Sequence, residues 1–150
     1  MNPQVQTPQR VGLIDALGGS KTLGRNVRRE KDLENEIRKG LPFAAVEYFM
    51  HALELEVDRM SQALRMTART LRRRRSEGVL GMEESAQLVR IARIFQRAID
   101  ILGSQEDAVA WMRHPNPTLG NKTPLDDVDT PLGEERVHAL LSRIEHGVYS

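Results

Sequence analysis

The 150-residue chain has no cysteine. That absence excludes disulfides, thiolate nucleophiles and cysteine-ligated zinc. It also lacks any run approaching the roughly 18 apolar residues of a membrane-spanning helix. No charged-then-apolar leader opens the sequence, so a cytoplasmic location and no membrane partner are expected. There is no β-type alternation, hairpin signal or internal repeat, which leaves helices as the only regular pattern. Hydrophobic residues make up 39% of the chain and charged residues 29%. That apolar share is low for a buried enzyme core but adequate for helical layers. The formal net charge of +1 hides an asymmetry. Residues 61–97 carry nine Arg against three Glu, whereas residues 98–150 carry four basic groups against nine acidic ones. The field that a polyanion meets is local, so a near-zero total does not argue against binding one.

Residues 1–10 hold two Pro, three Gln and few apolar side chains, and are expected to be loosely attached. A short apolar patch, Val11–Leu17, is expected to stop at Gly18-Gly19-Ser20. Asp32–Lys39 reads as a helix, with Gly40 at its C-terminal turn and Pro42 at the first position of the next. Further helical spacing covers Phe43–Glu54, Val57–Leu64, Ala68–Ser76 and the long segment Met82–Leu102. The long helix should bury Leu88, Ile91, Ala92, Phe95, Ile99 and Leu102. Arg90, Arg93 and Arg97 on the same helix read as a solvated basic face. Ser104-Gln105-Glu106-Asp107 resembles a capping box for Gln105–Met112. The Pro of His114-Pro115-Asn116-Pro117 end helical geometry there, and Asn116 and Pro117 shape the turn. Thr123-Pro124 and Thr130-Pro131 each place a hydroxyl cap before a Pro, the signature of a helix start. The last helix, about Pro131–His146, should bury Val137, Leu140, Leu141 and Ile144. Trp111, the only tryptophan, reads as core.

The basic run Arg69, Arg72, Arg73, Arg74 and Arg75 has two readings. At about 100° per residue, four consecutive arginines spread round most of a helix, so some must face water in any fold. Cations near a helix C-terminus also match its dipole. The alternative is a helix-turn-helix: Val57–Leu64, a turn at Arg65-Met66-Thr67, then Ala68–Arg75. Small Ser61 allows the two helices to approach. Thr67, Arg69 and Thr70 would then face base edges, with Arg72, Arg73 and Arg75 on phosphates. The turn has Arg65 where Gly is usual, a strain of about 1 kcal/mol if left-handed. Arg74 stands where such helices are often apolar.

Enzyme motifs do not assemble. Ser20-Lys21-Thr22 lacks the Gly that a phosphate loop needs at positions 20 and 15. Glu134-Glu135-Arg136-Val137-His138 lacks the first His of a zinc helix, and His114, His138 and His146 have no second His at i,i+4. Asp126, Asp127 and Asp129 lack the Gly and terminal Glu of a calcium loop. No Gly-x-Ser-x-Gly occurs. No catalytic residue, metal or cofactor is therefore expected.

The C-terminal third carries an ordered set: Trp111-Met112-Arg113-His114-Pro115-Asn116, Leu119-Gly120, Thr123-Pro124-Leu125, then Arg143-Ile144 and Gly147-Val148-Tyr149-Ser150. This set resembles the toxin-binding domain of the Xre/MbcA/ParS-type antitoxins, partners of RES-domain toxins. Upstream, Gly40-Leu41-Pro42, Thr70-Leu71-Arg72-Arg73, Glu84-Ser85 and Arg90-Ile91-Ala92-Arg93 are similar to the family's Xre-like helix-turn-helix and central helix. The resemblance spans about residues 40–150.

The resemblance implies an all-α fold: an Xre-like helix-turn-helix unit, a long central helix and a small helical C-terminal toxin-binding domain. The expected divisions are a variable, partly disordered segment at 1–39, a helix-turn-helix region at 40–97 and a toxin-binding domain at 98–150. It implies neutralisation of a co-encoded RES toxin that consumes NAD, with Arg143, His146, Gly147, Val148, Tyr149 and Ser150 covering the toxin's active-site entrance. Operator DNA is the second expected partner. A homodimer or a higher hetero-oligomer with toxin is expected, because one helix-turn-helix reads too few base pairs. Two other classes stay open on the residues alone: a helix-turn-helix regulator without a toxin, and a protein–protein adaptor that does not bind DNA.

Overall fold

The computed structural model describes residues 12–147. Among these, the regular elements are ten α-helices and one 3-10 turn, so the expected all-α class holds. The helices are α1 (Leu13–Ala16), α2 (Gly19–Leu23), α3 (Glu30–Lys39), α4 (Phe43–Ala52), α5 (Val57–Ala63), α6 (Ala68–Glu77), α7 (Met82–Leu102), α8 (Gln105–Arg113), α9 (Pro124–Asp127) and α10 (Pro131–Glu145). The 3-10 turn, Pro117–Leu119, lies between α8 and α9.

The long helix α7 forms where apolar side chains recur without a breaker over 21 residues, between Gly81 and a left-handed Gly103. Ser85, Gln87, Leu88, Val89, Ile91, Ala92, Ile94, Phe95, Ala98 and Ile99 are all buried on it. These positions exceed one helical stripe, so α7 must be covered on several sides. It packs against α1, α3, α8 and α10. Phe95 meets Phe49 of α4 edge to face, with ring centroids 5.7 Å apart. Of the predicted stripe only Leu102 is not fully buried. Trp111 is partly buried and packs on the same core.

Several local expectations require correction. The apolar patch does not stop at Gly18-Gly19-Ser20. Two glycines with positive φ, Gly18 at 101° and Gly19 at 73°, turn the chain, and α2 begins at Gly19. Residues 13–39 form three helices, and Leu13, Leu17, Leu23, Val27 and Leu33 bury into the common core. Pro42 sits at the N-cap of α4, not at its first helical position. Ser104 caps α8 by accepting from Asp107 N at 3.1 Å, but the reciprocal half of a capping box does not form. The two Thr-Pro starts form as expected: Thr123 accepts from Asp126 N, and Thr130 from Gly133 N.

Two backbone crossings are close enough to require glycine. A short antiparallel bridge joins Pro42 to Val79, and Leu80 N donates to Leu41 O at 2.9 Å. Gly40 lies against it, where a Cβ would fall 2.0 Å from Leu80 O. In α10, a Cβ on Gly133 would fall 1.6 Å from Asp127 O. The obstacle there is main chain, so it cannot rotate away.

Gly133→Ala is expected to destabilise the protein by about 2 kcal/mol or more, the cost of overpacking a close-packed contact. Chemical denaturation measures this, and an unchanged midpoint would show that α9 and α10 are not in this contact.

Candidate functional site

The basic helix is built from a true two-helix unit. α5 and α6 pack together around Met60, Ala63, Leu64 and Leu71. Ser61 is buried between them and its hydroxyl donates to Asp58 O, so no polar atom is stranded. Arg65 adopts φ 61°, the left-handed turn its position demands, and Met66 N donates to Ser61 O at 2.9 Å. Thr67 then caps α6. Its Oγ1 accepts from Thr70 N at 3.1 Å and lies 3.0 Å from Thr70 Oγ1. These two hydroxyls are tied to the helix start, and Thr70 is half-buried.

The arginines of α6 separate by partner. Arg69 and Arg72 are exposed and, among the described residues, make no ion pair. Arg73 leans on Glu77 and Arg75 on Glu47, each at 3.6 Å and both mostly solvated. Such pairs are worth little and exchange readily. Arg72 and Arg75 also border a cavity of about 280 Å³ floored by Phe43, Met50, Val57 and Leu71. Arg74 is different. It is half-buried, and its Nε and Nη2 grip the Glu84 carboxylate at 2.9–3.1 Å while Nη1 reaches Glu77 at 3.0 Å. Hydrogen bonding to Glu84, then to Glu77, raises its pKa further. Glu84 also accepts from Gly81 N at 2.7 Å and so caps α7. The basic residue at an apolar position is thus a strut between α6 and the central helix.

The C-terminal helices hang on the same strut helix. Buried Gln87 of α7 donates through Nε2 to Ala63 O of α5 and to Val128 O beyond α9, both at 3.1 Å. Arg59 of α5 donates to Thr123 Oγ1 at 3.0 Å and pairs with Asp126 at 2.7 Å. Asp127, fully buried, is neutralised by the fork of Arg136 at 2.9 and 3.0 Å. Asn116 Oδ1 accepts from Thr118 N and shapes the turn as expected.

The predicted solvated stripe on α7 holds for Arg90 and Arg93, which are exposed and pair only loosely, and is corrected for Arg97. Arg90 reaches Gln87 and Glu134, and Arg93 reaches Glu30. Arg97 Nη1 donates to His138 O and lies 3.0 Å from His138 Nδ1, and its Nη2 donates to Ser142 Oγ at 2.6 Å. Spacing on one helix shows a stripe but not the carboxylates that other helices bring to it. The one available sign for Gln87 was a lone amide inside an apolar run.

Of the six residues expected at the C-terminal end, the structure brings three together. Arg143 is exposed in the last turn of α10, His146 is its exposed C-cap, and Gly147 follows at φ 68°. Val148, Tyr149 and Ser150 lie outside the described residues. Among the described residues, no group of His, Asp and Glu could hold a metal ion, and no helix is long and apolar enough to cross a membrane.

Comparison with known proteins gives this arrangement its class. Residues 32–93 match the antitoxin Xre-like helix-turn-helix domain, and residues 97–147 match the antitoxin Xre/MbcA/ParS C-terminal toxin-binding domain. The chain belongs to the Xre/MbcA/ParS antitoxin family. It is 28% identical over 132 residues to an antitoxin Xre of Yersinia enterocolitica, covering 87% of this chain and 89% of that one. It is 36% identical over 80 residues to an antitoxin Xre of Photorhabdus laumondii, 53% of this chain and 54% of that one. A Prs ADP-ribosylating antitoxin of a Sphingobium species is 25% identical over 124 residues, 76% and 78% of the two chains. These relatives are antitoxins, and the coarse function of this family member is that of an antitoxin. The matched helix-turn-helix region contains α4 to α6, and the matched toxin-binding region contains α8 to α10.

One group in the antitoxin makes its stability depend on pH near neutrality. Burial, and then the Arg97 guanidinium, lowers the His138 pKa, with Glu134 opposing them. The unfolded chain, with an ordinary value near 6.5, therefore takes up the proton first as pH falls. Stability is full above about 6.5 and declines as pH falls through the lowered folded value. Urea midpoints at pH 7.5 and 5.5 are expected to show this decline in the parent and a smaller one in His138→Gln. An equal decline in both would contradict it.

Proposed function

We propose that this antitoxin neutralises a RES-domain toxin encoded beside it and represses its own operon through α6. The order of the two matched regions carries the reading: a helix-turn-helix at 32–93 is followed at once by a toxin-binding region at 97–147. The last matched residue is Gly147, at the edge of the apolar-aromatic stretch Val148-Tyr149-Ser150.

In this mechanism Arg143, His146 and Gly147 meet the rim of the toxin's NAD cavity, and Val148, Tyr149 and Ser150 fill its mouth. Inhibition is then steric: the dinucleotide cannot enter an occupied pocket. Tyr149 supplies large contact area with few rotamers to freeze. The acidic balance of residues 98–150 complements a pocket built to hold pyrophosphate. On the other surface, exposed Arg72, Arg73 and Arg75 hold phosphates, and the capped start of α6 with Thr67, Arg69 and Thr70 faces the groove. Self-association doubles the half-sites and raises specificity. The domain divisions at 39/40 and 97/98 belong to this reading, with α7 crossing the second.

Two experiments test the two surfaces separately. Deleting residues 147–150 is expected to abolish protection of cells from the toxin while leaving operator binding intact. Full protection by the shortened protein would remove the plug. Replacing Arg72, Arg73 and Arg75 with Ala is expected to abolish operator retention while toxin binding survives. Retention by the parent should also fall with salt by about 0.9 log units per neutralised phosphate for each tenfold rise. A flat titration, or unchanged retention by the triple variant, would favour an adaptor over a repressor.

A further inference from the structure

We infer that Arg97, on the central helix, is the positioning residue that aims the end of α10 at the toxin. The inference rests on the toxin-binding reading of that end and adds to it the group that sets its direction.

The residues of α10 that bury fully are Gly133, Val137, Leu140 and Leu141, and none lies beyond Leu141. After that point Ile144 alone gives partial apolar contact with the core. The last turn, which carries Arg143 and leads to His146 and Gly147, is therefore held mainly by polar contacts. Arg97 makes them. One guanidinium touches His138 through its carbonyl and Nδ1, Ser142 through its hydroxyl, and Glu145 at 3.6 Å. These positions follow one another at intervals of four and three residues, so they form a single line along the helix. A planar fork fixed at three points on that line sets both the tilt of the helix end and its rotation. A lysine in the same place would keep the charge but bring only a point donor without the fork. Arg143 is on the same turn but makes no such contact among the described residues, which leaves it free for a partner.

The clamp is also chemically conditional. His138 Nδ1 accepts from Arg97 when the ring proton sits on Nε2, facing Glu134 at 3.9 Å. The charged groups around the ring are Arg97 from α7, Glu134 from its own helix and, through Glu134, Arg90 from α7. Protonating the ring turns the accepting nitrogen into a donor and sets it against the guanidinium.

The test uses the full chain, the purified neighbouring toxin and two substitutions, Arg97→Lys and Ser142→Ala. Arg97→Lys is expected to weaken toxin binding by about 2- to 30-fold, the range of couplings carried through a packed contact. Ser142→Ala, which removes one arm, should weaken it less. Amide hydrogen exchange of the free protein should quicken at residues 142–147 in both variants and stay unchanged at 133–141. Operator binding should be unaffected, because α6 makes no contact with Arg97. Toxin affinity should fall from pH 7.5 to 5.5 in the parent and depend less on pH in Arg97→Lys. Equal toxin affinity of parent and Arg97→Lys, or unchanged exchange at 142–147, would overturn the role of Arg97 alone. Failure of the parent itself to bind the toxin would defeat the functional reading beneath it.

Discussion

The architecture depends on one constraint: α7 is too apolar to stand on a surface. Its buried positions take in more than half of its circumference and leave one outward strip with Arg90, Arg93 and Asp100, so the chain must lay helices against it on more than one side. The N-terminal helices α1 and α3 cover part, and α8 and α10 cover the rest. Both matched regions therefore share one core, and the boundary between them falls within a continuous helix. Gln87 shows how tightly the two sides are joined. Its amide is buried, so each N–H must find an acceptor. It finds one carbonyl at the end of α5 and another just past α9. Moving either helix unit against the other would strand a buried donor, at a cost of about 1–3 kcal/mol.

Much of this was readable in the residues before the structure was known. The limits of α7 follow from Gly81 and Gly103 with uninterrupted helical spacing between them. The Thr-Pro starts of α9 and α10 follow from a hydroxyl cap whose next residue has no N–H to satisfy. The two-helix unit followed from apolar residues flanking a short turn, with small Ser61 at the crossing. The less legible parts all depend on contacts distant in sequence. The packing of α1 to α3 depends on α7 leaving faces for Leu13, Leu17 and Leu33 to cover. Pro42 became a cap because the bridge to Val79 holds it extended, so α4 begins only at Phe43. The second half of the Ser104 box failed although its residue types were right, since composition gives the donor and acceptor but not the rotamer.

The arginines make the same point about the candidate sites. Arg69 and Arg74 are five residues apart on one helix, yet one is free and the other is a strut. Nothing local distinguishes them. Glu84, ten residues further on, does so by capping α7 through Oε2 while both of its oxygens accept from Arg74. Arg97 read as a solvated cation for the same reason, because its partners lie 41 to 48 positions away. A basic stripe in a sequence thus counts charges, and the fold then sorts them into internal struts and outward contacts. On α6 the outward set is Arg69, Arg72, Arg73 and Arg75, all exposed, and on the proposed reading these are the cations that DNA meets.

Rigidity has a consequence for how the two surfaces can influence each other. A ligand shifts an equilibrium only through its different affinity for two states. Gln87, Arg59–Asp126 and the shared core join α5, α7 and α9 into one body. On the proposed reading, toxin held at the end of α10 would have to strain these joints to reshape α6. On the same reading, any effect of toxin on operator affinity is expected to come from assembly, by altering how many helix-turn-helix units reach one DNA at once. Coupling of that kind depends on protein concentration and on the spacing of operator half-sites. A conformational signal within one protomer depends on neither, so these two dependences separate the mechanisms.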